Sequence, residues 1–175
     1  MFRSPIVVWI CCLLCITTSL KSQTKWVSTW GTANQLVEPH NMPPAPGLSH
    51  HILRQVVRVS IGGDSLRCLL SNEFGQDSVQ LKAVFVSASA GGYTIDSLTS
   101  KKLTFKGAPA WTMAPGTTIL SDPVAFKLTP RMDVAITIQF GNTSSTLTGH
   151  PGSRTTSYLL AGQSIQETDF SNAIP

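Results

Sequence analysis

The chain has 175 residues, 42% hydrophobic and only 13% charged, with 13 Gly and 11 Pro. That length and apolar content describe one folded domain and exclude a disordered chain. The formal charge of +4 is scattered, with Lys101-Lys102 the densest basic pair, which argues against a nucleic-acid surface or an acidic-membrane surface.

Residues 1–23 read as a cleaved signal peptide. Arg3 supplies the short basic start, Ile6 to Ile16 an apolar run, and Thr17-Thr18-Ser19 a small polar exit. The run is too short to span a bilayer, so the expectation is export to the periplasm or the exterior, with cleavage near Ser22-Gln23 and no membrane association afterwards. Cleavage removes three of the four cysteines, including Cys12-Leu-Leu-Cys15, whose redox or zinc spacing means nothing inside an excised segment. Cys68 is left alone. A domain of about 150 residues buries roughly 68–70% of its unfolded surface and needs no disulfide.

Residues 24–169 read as strands. A first candidate, Lys25–Thr32, places Trp26 and Trp30 on one face, where they suit buried anchors or a sugar-stacking platform. Glu38 to His51, rich in Pro and Gly, is a long surface loop. Arg54 to Ile61 sets Val57, Val59 and Ile61 on one face and Arg58 and Ser60 on the other, and Leu66, Cys68 and Leu70 resume the alternation. Val79 to Ala88 aligns Val79, Leu81, Ala83 and Phe85. Shorter candidates are Lys102–Phe105, Thr117–Leu120, Val124–Leu128, Thr146–Thr148 and Thr155–Leu160. The clearest segment is Met132 to Phe140, where Val134, Ile136, Ile138 and Phe140 alternate with smaller or polar residues. Gly and Pro turns separate these runs, and no stretch beyond the signal peptide sustains a helical period. The expected fold is all-β: an antiparallel two-sheet sandwich of jelly-roll kind.

Gly63-Asp64-Ser65-Leu66 spells the signature of GDSL esterases, which makes Ser65 a candidate nucleophile. That chemistry needs a serine at the start of a helix after a strand, an oxyanion donor and a histidine base oriented by an aspartate. Here Ser65 is followed by a strand-like alternation, the closing Gly of Gly-Asp-Ser-x-x-x-Gly is missing, and no Asp-x-x-His block exists. A hairpin turn fits the local pattern better. His40, His50, His51 and His150 form no His-x-His or His-x-x-x-His pair, so no metal site is expected. Asn142-Thr143-Ser144 fits a glycosylation sequon. The segment Gly149 to Tyr158 packs His150, Arg154 and several hydroxyls into a short loop, which suits binding of a carboxylate or sugar hydroxyls, or tying the loop to its own carbonyls.

Four phrases stand in order: Trp26-Val-Ser-Thr-Trp-Gly-Thr-Ala33, Leu53-Arg-Gln-Val-Val-Arg-Val-Ser60, Gly63-Asp-Ser-Leu-Arg67 with Leu70-Ser-Asn-Glu-Phe-Gly75, and Gly149-His-Pro-Gly-Ser-Arg-Thr-Thr-Ser157. Together they resemble the N-terminal half of secreted bacterial SGNH/GDSL-type hydrolases. The resemblance implies an accessory β-sandwich preceding a catalytic α/β domain that cleaves acyl esters, plausibly acetyl groups on sugars, by a Ser-His-Asp mechanism with no cofactor. The family's catalytic Ser, Gly, Asn and Asp-x-x-His blocks have no counterparts here, so no catalytic residue carries over. The implied partner is an SGNH catalytic domain C-terminal to this chain, with 170–175 as the start of a linker, and His150 and Arg154 as contributors to the wall of its cleft. The alternative is a free-standing secreted carbohydrate-binding module that stacks sugars on Trp26, Trp30 or Trp111.

Overall fold

The computed structural model describes residues 25–153, 155–162 and 170–175. The expected signal peptide and Arg154 lie outside the described residues. Twelve strands follow one another among those residues: β1 Gln35–Leu36, β2 Ile52–Arg58, β3 Gly63–Leu66, β4 Leu69–Asn72, β5 Val79–Gly91, β6 Thr94–Lys102, β7 Trp111–Met113, β8 Thr117–Leu120, β9 Val124–Leu128, β10 Asp133–Phe140, β11 Thr148–Gly149 and β12 Ser157–Leu160. The only helical element described is a 3-10 turn at Pro39–Asn41, inside the expected long loop. The protein is all-β and antiparallel, as its alternating sequence requires.

The main sheet runs β12-β2-β10-β5-β6, with β7 also paired to β5. Facing it are two short ladders, β3 with β9 and β4 with β8, and none of the sheets closes into a barrel. Val57, Val84, Val86, Val134 and Ile138 from the main sheet meet Phe126 and Leu128 from β9, with Leu103 and Phe105 between them. This interior between two layers makes the fold a sandwich. Cys68 packs against the same core, where burial pushes its thiol up to about 11.

Two departures from simple alternation shape the sheet. β10 pairs Gln139 with Ala83 but Phe140 with Leu81, so Lys82 is an extra residue, a β-bulge. The bulge inverts the side-chain phase. Val79 and Leu81 face the core before it and Val84 and Val86 after it, which displaces Ala83 and Phe85 from the single face expected. The second departure is at Gly62. The Gly62-to-Ser65 segment is not a hairpin turn, because β3 pairs with β9 rather than returning along β2. The chain crosses there from one layer to the other, and a Cβ on Gly62 would stand 2.8 Å from the Leu128 carbonyl oxygen. Only glycine permits that approach, and Ile61, just before the crossing, is left exposed.

Part of the outer face of the main sheet is buried as well. Ile52, Leu160 and Phe170 form a second cluster there, and Arg54 is only 1% exposed. The guanidinium lies 3.6 Å from the centre of the Phe170 ring; Nε donates to the Thr137 hydroxyl at 2.9 Å and Nη1 to the Tyr93 carbonyl at 2.6 Å. Desolvation pushes Arg54 down to about 10, so it stays protonated at neutral pH. Phe170 and Ala173 therefore pack on the sheet, and Leu159 and Ile174 exchange backbone hydrogen bonds, each 2.8 Å.

Phe170→Ala removes a fully buried ring and the surface that covers Arg54. It is expected to lower the unfolding free energy by about 3–5 kcal/mol, read from urea titrations of both proteins.

Candidate functional site

The four distant phrases meet at one another's side chains. Thr29 is held against the end of the first long strand: its hydroxyl donates to the Ile61 carbonyl and accepts from the Ser60 and Ile61 N–H groups, all within 3.0–3.1 Å. The Ser60 hydroxyl returns a bond to the Thr29 carbonyl at 2.8 Å. These side-chain bonds replace the strand ladder expected over 25–32, which does not form. Trp26 and Trp30 are consequently no buried anchors; they are 42% and 44% exposed.

His150 lies 2.9 Å through Nδ1 from the Ala33 carbonyl. A carbonyl only accepts, so Nδ1 carries the proton. Around it, β1 pairs with β11, Asn34 donates to Glu73 at 3.4 Å, and the Phe74 N–H donates to the Thr148 hydroxyl at 2.9 Å. The turn beneath is built on Asn72, a buried amide that donates to the Asp77 and Ala114 carbonyls at 3.0 and 3.1 Å. Its carboxamide fills the space a Cβ on Gly75 would need, which explains a glycine there. Asp77 then holds the 144–145 loop. The Ser145 N–H, the Ser145 hydroxyl and the Ser144 hydroxyl bond its carboxylate, in that order of effect, and hold its carboxyl below the usual range.

Ser65 lies elsewhere, exposed on β3 opposite Ala125, and its hydroxyl has no hydrogen-bond partner among the described residues. The preceding Asp64 is paired with Lys127 at 2.7 Å. His51 Nδ1 accepts from the Gly162 N–H, and His40 contacts Asn41. Among the described residues no histidine is hydrogen-bonded to Ser65, and β3 leads into β4 rather than a helix. Among the described residues no group of three or more His, Cys, Asp or Glu is placed to hold a metal ion. No helix among them is long and apolar enough to cross a membrane.

An open groove of about 430 Å³ lies next to the first phrase. Trp30 forms one side, Val56 and Val57 line it, and Arg58, Asp133, Ser153 and Thr155 supply polar groups. Arg58 and Asp133 are cross-strand partners at the ends of β2 and β10, joined by two bonds of 2.7 Å from Nε and Nη2. The guanidinium holds the Asp133 carboxyl below its ordinary range. Thr155 donates to the Val56 carbonyl at 2.7 Å, which holds Thr155 against β2. Sequence reading brought neither Arg58 nor Asp133 forward: they are 75 residues apart and only strand register brings them together. The expected His150–Arg154 pair is described at His150 alone.

Asn72→Ala removes a buried amide and its hydrogen bonds to the Asp77 and Ala114 carbonyls, and is expected to cost about 1–3 kcal/mol, measured by thermal unfolding. For Asp77, the lowered value means that its hold on the loop is complete above the unfolded carboxyl value and lost as pH falls through the folded one. Amide protection at Ser145, corrected for intrinsic exchange, is therefore expected to stay level from neutral pH down to the ordinary carboxylate range and to fall only below it; in Asp77→Asn, which keeps an acceptor oxygen but cannot titrate, that pH dependence is expected to disappear.

No protein-family model matches the chain, and no curated protein matches its sequence.

Proposed function

We propose that this chain is the accessory β-sandwich of a secreted SGNH/GDSL-type ester hydrolase, with the chemistry carried by a separate catalytic domain. One observation carries the reading. The phrases that resemble that family, far apart in sequence, touch one another: Thr29 is hydrogen-bonded to Ser60, Ala33 to His150 and Val56 to Thr155, and Arg67 stacks over Trp26. Residues that merely kept strands apolar would have no reason to meet through polar side chains. In this role the chain contributes a rigid wall, with His150 held through Nδ1 on the Ala33 carbonyl. Attack on the acyl carbonyl, and the proton transfers that accompany it, belong to the catalytic domain's serine and histidine.

A second reading, a secreted carbohydrate-binding module, is favoured by the exposure of Trp30 beside a polar groove. The two readings are compatible, because an esterase acting on decorated sugars gains from a domain that holds the chain it deacylates.

Ester hydrolysis separates the accessory role from catalysis by this chain. With p-nitrophenyl acetate the chain alone is expected to give no saturable rate, and Ser65→Ala to change nothing. Added to an SGNH catalytic domain expressed without its own sandwich, it is expected to raise kcat/KM by about tenfold, roughly 1.4 kcal/mol, with less effect from His150→Ala. A saturable rate from the chain alone, abolished by Ser65→Ala, overturns the proposal.

A further inference from the structure

We infer that the open groove beside Trp30 binds a neutral oligosaccharide, with the indole stacked on one sugar ring and the Arg58–Asp133 fork meeting that ring's hydroxyl groups. The inference takes its ligand class from the carbohydrate reading above and adds the site.

The choice of tryptophan follows from what already covers each ring. Trp26 carries the Arg67 guanidinium at 4.4 Å from its ring centre, and Trp111 carries the Lys106 ammonium at 5.2 Å. Both faces so used are engaged with cations of the chain itself. Trp30 has no such partner among the described residues, is 44% exposed, and borders the groove. Stacking on a pyranose needs a bare, wet indole face fixed in place. Thr29, bonded to Ser60 and Ile61, and Ser28, whose hydroxyl donates to the Trp30 carbonyl at 3.2 Å, fix the backbone on that side. A platform held before binding loses little freedom on binding.

Among the described lining residues, the polar wall suits a neutral ligand. Arg58 spends Nε and Nη2 on Asp133, so the pair presents both donors and acceptors but almost no net charge. An anion would find a cation already neutralised, whereas a pair of adjacent hydroxyls, each donor and acceptor, matches a guanidinium N–H beside a carboxylate oxygen. Ser153 adds a hydroxyl at the rim, and Val56, on the strand face opposite the core-facing Val57, gives an apolar lining for sugar C–H groups. The groove's size, about 430 Å³, lies within the range of small-molecule sites.

The test is calorimetric titration of the full chain with xylohexaose, cellohexaose and mannohexaose. At least one is expected to bind saturably, with a Kd below about 1 mM that is unchanged by added salt. Trp30→Ala is expected to weaken binding by about tenfold or more, and Asp133→Asn by about threefold. Trp30→Phe, which keeps an aromatic face, retains part of the affinity and covers the case in which the alanine variant does not fold. Trp26→Ala should leave Kd unchanged. Binding that survives Trp30→Ala overturns the groove while the carbohydrate reading stands. The absence of saturable binding to all three sugars overturns both, and an affinity that collapses with salt overturns the neutral ligand.

Discussion

A guanidinium removed from water must find its partners inside the protein, and Arg54 imposes that condition on the middle of the main sheet. Its answer reaches across the fold. Thr137 comes from the neighbouring β10, the Tyr93 carbonyl from the turn between β5 and β6, and Phe170 from the end of the chain. Tyr158 on β12 closes the group with an edge-on contact to Tyr93, ring centres 6.0 Å apart. The long β5–β6 hairpin must therefore bend over the outer face to deliver its turn, and Gly91 and Gly92, both with positive φ, make that turn sterically free. What would otherwise be an exposed sheet surface becomes a second, smaller interior.

That second interior explains where the sequence was readable and where it was not. β10 alternates cleanly, and Val134 and Ile138 face the main core as expected. Yet its other face, Ala135 and Thr137, is buried too, because the outer cluster covers it. Alternation reports a difference between faces and says nothing about how dry the more polar face is. Arg54 occupies such a position, so nothing in the pattern separates it from a solvated arginine. The bulge at Lys82 escapes for a related reason: an inserted residue changes phase without changing composition. Gly62 was legible as a break, but whether a glycine turns a strand back or lets it cross to another layer depends on the backbone it meets, here that of Leu128.

The candidate site divides in the same way. His150 stands out because a histidine beside Pro, Gly and hydroxyls is an unusual run in a strand-rich chain. Asn72 and Gly75 were visible only as part of a phrase, since a buried amide and the glycine that clears space for it read separately as loop residues. The Arg58–Asp133 fork is a product of register alone. Trp26 and Trp30 show how a side-chain tether can stand in for a ladder: with Thr29 doing the holding, their segment needs no strand partner, and both rings stay at the surface.

The backbone exchange between Leu159 and Ile174 has a consequence for how this protein meets others. β12 is an outermost strand of the main sheet, and an unpaired outermost strand is a template onto which an extended peptide, or a second copy, adds itself. At Leu159 that template is already occupied, because both its N–H and its carbonyl are bonded to Ile174. Lengthening the sheet along that side would first require the chain's own last residues to let go. Recognition is thus directed away from backbone pairing there and toward side chains on faces and in grooves, where size, stacking and hydroxyl geometry discriminate between partners.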